Sequence, residues 1–304
     1  MSLLVVGSLA LDTIETPFGR AEKAVGGSAV FISIAASYFI QPVRLVGVIG
    51  GDFPKSELDF LKEKDIDLEG LQIKEDQKTF HWHGRYSFDL NSRDSITTEL
   101  NAFADFDPVV PDPFKKSSYV CLGNINPVLQ KKVLFQVEKP RLVVADTMNF
   151  WIGNMLSELT DMMKYIDVFI INDSEAREIS KEANLIRAAK RIREMGPKTL
   201  IIKKGEHGAL LFAGNEMFFA PAYPLESIYD PTGAGDSFAG GFTGYLARTE
   251  DLSYENMKRA VIYGSTIASF TVEKFSIERI RDLSMLEIKD RFNEFKRISE
   301  FSSS

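Results

Sequence analysis

Cysteine is almost absent: Cys121 stands alone in a chain of 304 residues. No intrachain disulfide and no multi-cysteine metal centre can form, and the composition suits a reducing compartment. Histidine is nearly as scarce, with only His81, His83 and His207. His81 and His83 alternate on one strand face without further ligands, which is too little for a zinc centre. No run approaches the roughly 18 consecutive apolar residues of a membrane-spanning helix. The opening MSLLVVGSLALD has no basic segment and soon turns acidic, unlike a secretory leader. A cytoplasmic location is the expectation, with no membrane partner. Basic residues are outnumbered 36 to 43, for a net charge of −7, which argues against bulk attraction to nucleic acid. Two phosphate-handling signatures are missing as well. There is no GxxxxGK followed by Ser or Thr, and no HRD and DFG pair.

What is present is an α/β rhythm. LLVVGSL at 3–9, VRLVGVI at 43–49, YVCLG at 119–123, LVVAD at 142–146, DVFII at 167–171 and TLIIK at 199–203 read as buried strands without polar alternation. Helical patterns lie between them, among them GGSAVFISIAASYF at 26–39 and the amphipathic EANLIRAAKRIREMG at 182–196. ALLFA and EMFFA around Gly214-Asn215 read as a hairpin. Helices are expected over 235–248, 254–271 and 284–300, with Ser302–Ser304 fraying at the end. The segment from about 66 to 106 differs. Phe80, Trp82, Arg85, Tyr86 and Phe88 are interspersed with polar residues, a strand pattern with one wet face. It is expected to form a small sheet standing off the main layer. Folds of this class bind ligands beyond the carboxyl ends of their strands.

The sharpest chemical feature is DPTGAGDSFAGGF at 230–242. Gly233 and Gly235 flank Ala234 just before a helix of small residues. The amides of 233–236 then point out of a helix N-terminus, a geometry that binds phosphate. Asp236 lies in the first turn. An acid there is often only a dipole partner or cap. A cap, however, needs neither Gly-Ala-Gly before it nor Gly240-Gly241 after it, glycines that cost about 1 kcal/mol each inside a helix. A phosphate cradle beside a carboxylate suits phosphoryl transfer to a hydroxyl, the carboxylate taking the proton.

With these residues the chain resembles the PfkB/ribokinase family of carbohydrate and nucleoside kinases over nearly its whole length. The resemblance implies one ribokinase-like domain over 1–304, a three-layer α/β/α sandwich with a small β-sheet lid. The lid is expected mainly from about 66–106, with part of 10–25. By the match of DPTGAGDSFAGGF to the family signature, Asp236 is the base, and Gly233, Ala234, Gly235 and Asp236 form the anion hole. Asp12 in GSLALDTI matches the aspartate that binds substrate hydroxyls, and Gly26-Gly27 the pair that packs on the substrate. The GGD at 50–52 suits the same crevice. In NDSE at 172–175, Asn172 lies near the phosphates and Glu175 acts on Mg²⁺ through water; by itself this segment also reads as a helix cap. In KKGEHG at 203–208, Lys203, Gly205 and Gly208 border ATP. Asp230 is a candidate for a monovalent cation such as K⁺. Phe31 stands where ribokinase-like members carry a polar residue for the sugar, which argues against ribose itself. Trp82 and Tyr86 suit stacking on a base, and Arg85 suits a sugar phosphate; the same rings also suit the lid's own core or a homodimer contact through the lid. The implied reaction moves the ATP γ-phosphate to a sugar hydroxyl. Adenosine or another nucleoside is the alternative acceptor, and a non-catalytic ligand-binding or regulatory protein the alternative class.

Overall fold

The computed structural model describes residues 1–300; the frayed end expected at Ser302–Ser304 lies outside them. The strands are β1 (Leu3–Val6), β2 (Ala10–Thr16), β3 (Gly19–Gly26), β4 (Val43–Gly50), β5 (Ile66–Lys74), β6 (His81–Tyr86), β7 (Arg93–Glu99), β8 (Tyr119–Leu122), β9 (Leu142–Asp146), β10 (Val168–Asn172), β11 (Thr199–Lys203), β12 (Ala209–Ala213) and β13 (Glu216–Ala220). The helices are α1 (Ser28–Ser37), α2 (Lys55–Glu63), α3 (Pro127–Leu134), α4 (Asn149–Asn154), α5 (Leu156–Met163), α6 (Asp173–Ser180), α7 (Leu185–Arg193), α8 (Ala234–Thr249), α9 (Tyr254–Thr271), α10 (Glu278–Arg281) and α11 (Met285–Ser299).

Nine strands form the main sheet in the order β13-β12-β11-β10-β9-β8-β1-β4-β5. The strands from β11 to β5 run parallel, and β12 and β13 return antiparallel at one edge. Successive side chains leave a strand on opposite faces. Leu3 and Val5 therefore enter the core under α1, α8 and α9, while Leu4 and Val6 enter the core under α3, α5 and α7. Burial on both faces explains why these strands are continuous apolar runs. Each fully buried Leu, Ile or Phe contributes roughly 1.5–3 kcal/mol before the ordering entropy is counted.

Four strands form the small sheet, in the order β3-β2-β6-β7. Its content differs from the expected 66–106. Residues 66–74 are β5, paired in parallel with β4 at the edge of the main sheet. The buried Ile66 and half-buried Leu68 and Leu71 pack on the core there, so the apolar positions of IDLEGLQI belong to the main sheet. The small sheet takes instead the hairpin 10–26, of which only a part was expected. The GGD turn also has a structural use. Asp52 Oδ1 accepts hydrogen bonds from Thr79 N and Oγ1, both at 2.7 Å, fixing the point where the chain leaves the main domain for β6.

Candidate active site

β1 ends beneath α1 and the chain turns directly into β2. Gly27, with φ 93°, precedes α1, and Ser28 binds back to Ser8 through both backbone amides. This clamp places Asp12 of β2 against Gly26, where any side chain would overlap the carboxylate. Asp12 is buried, and its Oδ1 has no hydrogen-bond partner. Burial first, then the nearby Asp230 and Asp236 charges, push its pKa up to about 8, while the Trp82 amide pulls it down. A buried acid with an orphan oxygen is an acceptor site awaiting a donor.

The segment from Asp230 to α8 forms the second wall. Gly233 is left-handed, φ 76° and ψ −2°, and caps α8 without a side-chain bond. A Cβ at this position would overlap the ring of the buried Phe31. Phe31 is thus the floor supporting the loop, and the expected substrate contact is not what its position shows. Ala234 N donates to Pro231 O at 3.3 Å, and Gly235 in the first turn of α8 lies against Lys203 at the end of β11. Asp230 is fully buried; Oδ1 accepts from Thr232 N at 2.8 Å and Oδ2 from Ser276 N at 2.9 Å. It ties two loops together, a structural use that leaves the expected K⁺ role without support.

Strand register brings the third group together. Asp146 ends β9, Asn172 ends β10 and Lys203 ends β11, with Asn172 opposite Lys203. Asp146 Oδ2 lies 3.4 Å from Lys203 Nζ. A Cβ on Gly235 would lie only 2.7 Å from that ammonium. Asn172 and Glu175 form a capping box on α6. Asn172 Oδ1 accepts from Glu175 N at 2.8 Å, and Glu175 Oε2 accepts from Asn172 N at 2.7 Å. The cap expected of NDSE is present, at a strand end facing Lys203 across the sheet. Burial, then repulsion from Asp146, raises Asp236 and Glu175 well above the ordinary carboxylate range; Lys203 and Arg93 oppose the rise. Burial alone would lower Lys203, but Asp146, Glu175 and Asp236 outweigh it and hold the ammonium charged. Gly205 and Gly208 bracket the turn after β11, both with positive φ. A Cβ on Gly205 would touch Asn91 of the β6–β7 hairpin at 3.5 Å, so the small sheet spans from Asp12 to this turn.

The small sheet presents one face to the site. Tyr86 is buried and its hydroxyl lies 3.0 Å from Thr232 Oγ1, beside the Gly233 loop. Trp82 lies on the same face, its indole laid over Gly84 and its Nε1 donating to Ser95 Oγ at 2.9 Å. Arg93, opposite Tyr86, reaches over the indole at 5.7 Å. Arg85 takes the opposite face. It is exposed and donates to Glu15 Oε2 at 2.7 Å, beside His83 on the same carboxylate. The expected substrate contact of Arg85 is therefore not met: one residue along a strand reverses the face. Sequence reading also passed over Asp146. An aspartate closing a strand carries no mark of its own, and only the register of β9, β10 and β11 sets it beside Lys203. Cys121 is buried and its thiol is pushed up to about 12 by burial, an inert packing group. Among the described residues no three His, Cys, Asp or Glu side chains are grouped to hold a metal ion, and no helix is long and apolar enough to cross a membrane.

A parallel sheet met at its carboxyl end by a glycine loop entering a helix, with an accessory sheet beside it, is the ribokinase-like fold of phosphotransferases. The chain belongs to the pfkB family of carbohydrate kinases, whose model matches residues 2–279, and it is an ATP-dependent phosphotransferase. It is 29% identical over 260 residues to a cytidine kinase of Thermococcus kodakarensis, covering 83% of this chain and 91% of the relative. The crystal structure of Methanocaldococcus jannaschii nucleoside kinase matches with a TM-score of 0.77 at 20% identity, covering 96% of this chain and 98% of that one. A Burkholderia thailandensis nucleoside kinase in complex with inosine matches with a TM-score of 0.75 at 19% identity, covering 96% and 97%.

Proposed function

We propose that this protein is a nucleoside kinase, moving the ATP γ-phosphate to a ribosyl hydroxyl. The observation that carries the reading is the indole of Trp82 lying over Gly84 on the inner face of the small sheet, between Tyr86 and Asp12. A broad aromatic face suits a planar base and is more than a free sugar needs. The relatives named for cytidine and nucleosides point the same way. The free sugar expected first gives way to the nucleoside.

In this reading the small sheet is a lid over the acceptor. The ribose hydroxyls meet Asp12, whose Oδ1 lacks a partner. Asp236 accepts the proton of the attacking hydroxyl. Its raised pKa keeps it basic enough for the task. The amides of 233–236 and the N-terminal end of α8 stabilise charge on the phosphoryl oxygens. Lys203, Gly205, Gly208 and Asn172 border the nucleotide. Glu175 Oε2 is engaged in the capping box, which leaves Oε1 as the oxygen that suits a hydrated Mg²⁺. A sparse protein shell fits an ion that keeps waters and phosphate oxygens as ligands. When bound, Mg²⁺ supplies neutralisation of the triphosphate charge. Exclusion of water by the lid limits ATP hydrolysis.

The test is an ADP-release assay with product mass identification against nucleosides, free sugars and sugar phosphates. Nucleoside monophosphate is the expected product. Gly84→Val, which displaces the indole, is expected to raise the nucleoside KM at least tenfold with a smaller change in kcat. Phosphorylation of a free sugar with nucleosides inert would sink the reading.

A further inference from the structure

The carboxylate of Asp146 has no part in the reaction as drawn so far, yet it is one of the most buried charges in the molecule, its side chain 7% exposed. Its place is fixed from several sides. Gln130 Nε2 donates to its carbonyl at 2.9 Å, and its Oδ1 accepts from Thr147 N at 2.8 Å. Only Oδ2 faces the site, and it meets Lys203 Nζ. Lys203 in turn has three N–H donors and no second hydrogen-bond acceptor among the described residues. Its ammonium lies against Gly235, at the positive end of α8.

This arrangement is unfavourable by itself. A buried ammonium beside a helix N-terminus is repelled by the exposed amides. Without the pair, a lysine on a flexible four-carbon stem would swing toward water. Asp146 prevents this. It holds the ammonium with two N–H donors unspent, beside the loop where the phosphoryl group is expected. We propose that Asp146 is a positioning residue, fixing Lys203 against the Gly233–Asp236 loop so that Lys203 donates to the transferring phosphoryl oxygens. The inference rests on the phosphoryl-transfer reading but not on which acceptor is used. The charged groups around the pair are Glu175 on α6, Asp236 on α8 and Arg93 on the small sheet.

The test is a double-mutant cycle with Asp146→Asn, Lys203→Met and the double variant in the full chain. Lys203→Met is expected to lower kcat about 10²–10³-fold, the usual loss for one donor to a developing anion. Asp146→Asn is expected to lower kcat about tenfold or more, with the acceptor KM unchanged. Measured on the pH plateau above the Asp236 limb, where the direct repulsion of Asp236 by Asp146 no longer sets the protonation of the base, the double variant should match Lys203→Met alone, because there Asp146 acts through the lysine. A merely structural role would instead lower the melting temperature and add to the loss. Additive losses, or a silent Lys203→Met, would overturn the proposal. Calorimetric titration with ATP repeats the cycle without an acceptor. If the wild type turns over no acceptor, the phosphotransfer reading has failed by itself, and non-additivity in ATP affinity still decides between coupled and independent roles.

Discussion

Asp12 offers the most direct check on the energetics of the site. Its carboxyl is buried, one oxygen is unpartnered, and its pKa is raised from 3.8 to about 8. The folded chain therefore holds a proton that the unfolded chain has released. Its contribution to stability falls as pH rises from about 4, and the fall ends near pH 8, above which both states are ionised. A shift of about 4 units corresponds to a ceiling of roughly 6 kcal/mol. Relaxation and water entry reduce such penalties, so about 2–3 kcal/mol is the expected size. Asp12→Asn keeps the shape and an acceptor for the Trp82 amide while removing the titration. The variant should thus be more stable than the wild type at pH 8–9, and the gap should shrink by most of that amount at pH 5. Titrating groups that do not interact with Asp12 cancel in the difference, and the carboxyls coupled to it by charge are Asp230 and Asp236. Urea unfolding of both proteins at the two pH values measures it. The same variant should lose acceptor affinity, since the carboxylate is the proposed hydroxyl site. An Asn variant less stable than the wild type by the same margin at both pH values would refute the reasoning.

Three further outcomes are expected. Asp236→Asn should lower kcat about 10²–10⁴-fold while ATP and nucleoside still bind; unchanged turnover would remove Asp236 from the role of base. Because burial and Asp146 raise the Asp236 pKa, and the base must be ionised to accept a proton, kcat/KM should climb with pH through a limb well above the ordinary carboxylate value of about 4. A profile flat down to pH 5 would contradict this. Gly233→Ala forces a side chain onto φ 76° and into the Phe31 ring. A loss of about 2–4 kcal/mol is expected by denaturant titration, and a loss under 0.5 kcal/mol would show that the loop can shift freely.

The main sheet was legible because its strands are buried on both faces and carry no polar interruption, so LLVV, YVCL and VFII declare themselves. The small sheet was harder. β7 is exposed along its whole length, so RDSITTE has no apolar face to display. β5 was misread for the opposite reason: only some of its positions are buried, and alternation in a half-covered edge strand looks like alternation in a lid. The Gly233 turn into α8 was readable because a tight turn at a helix start leaves a glycine signature. Asp146 was not, because an aspartate at a strand end carries no such mark until the register of three strands sets it beside Lys203. Arg85 shows what period-two counting would have settled from sequence alone: with Trp82 and Tyr86 on the inner face, an odd-numbered neighbour in the same uninterrupted strand must point outward.

The charge balance of the site ties these residues together. Asp12, Asp146, Glu175 and Asp230 are buried around the strand ends and the Gly233 loop, with Asp236 half-buried among them, and Lys203 with the outer Arg93 is the cationic counterweight. Three of the acids, Asp12, Glu175 and Asp236, are raised by burial first and by like charge second. A fold selected for stability alone would replace such carboxylates with neutral groups, since buried polar residues without partners are among the costliest features of a core. Their retention makes sense only if ligands complete what the chain leaves open: a hydroxyl at Asp12, a proton passed to Asp236, and an anion between Lys203 and the α8 amides. Removing Asp12 or Asp236 singly should therefore stabilise the ligand-free chain or leave it unchanged, and harm turnover. Asp146 and Glu175 already hold a backbone amide each, and Asp230 is the extreme case, because both its oxygens hold backbone amides. Asp230→Asn should cost stability in the ligand-free state, and that contrast with Asp12→Asn separates the acids that build the fold from those that serve the reaction.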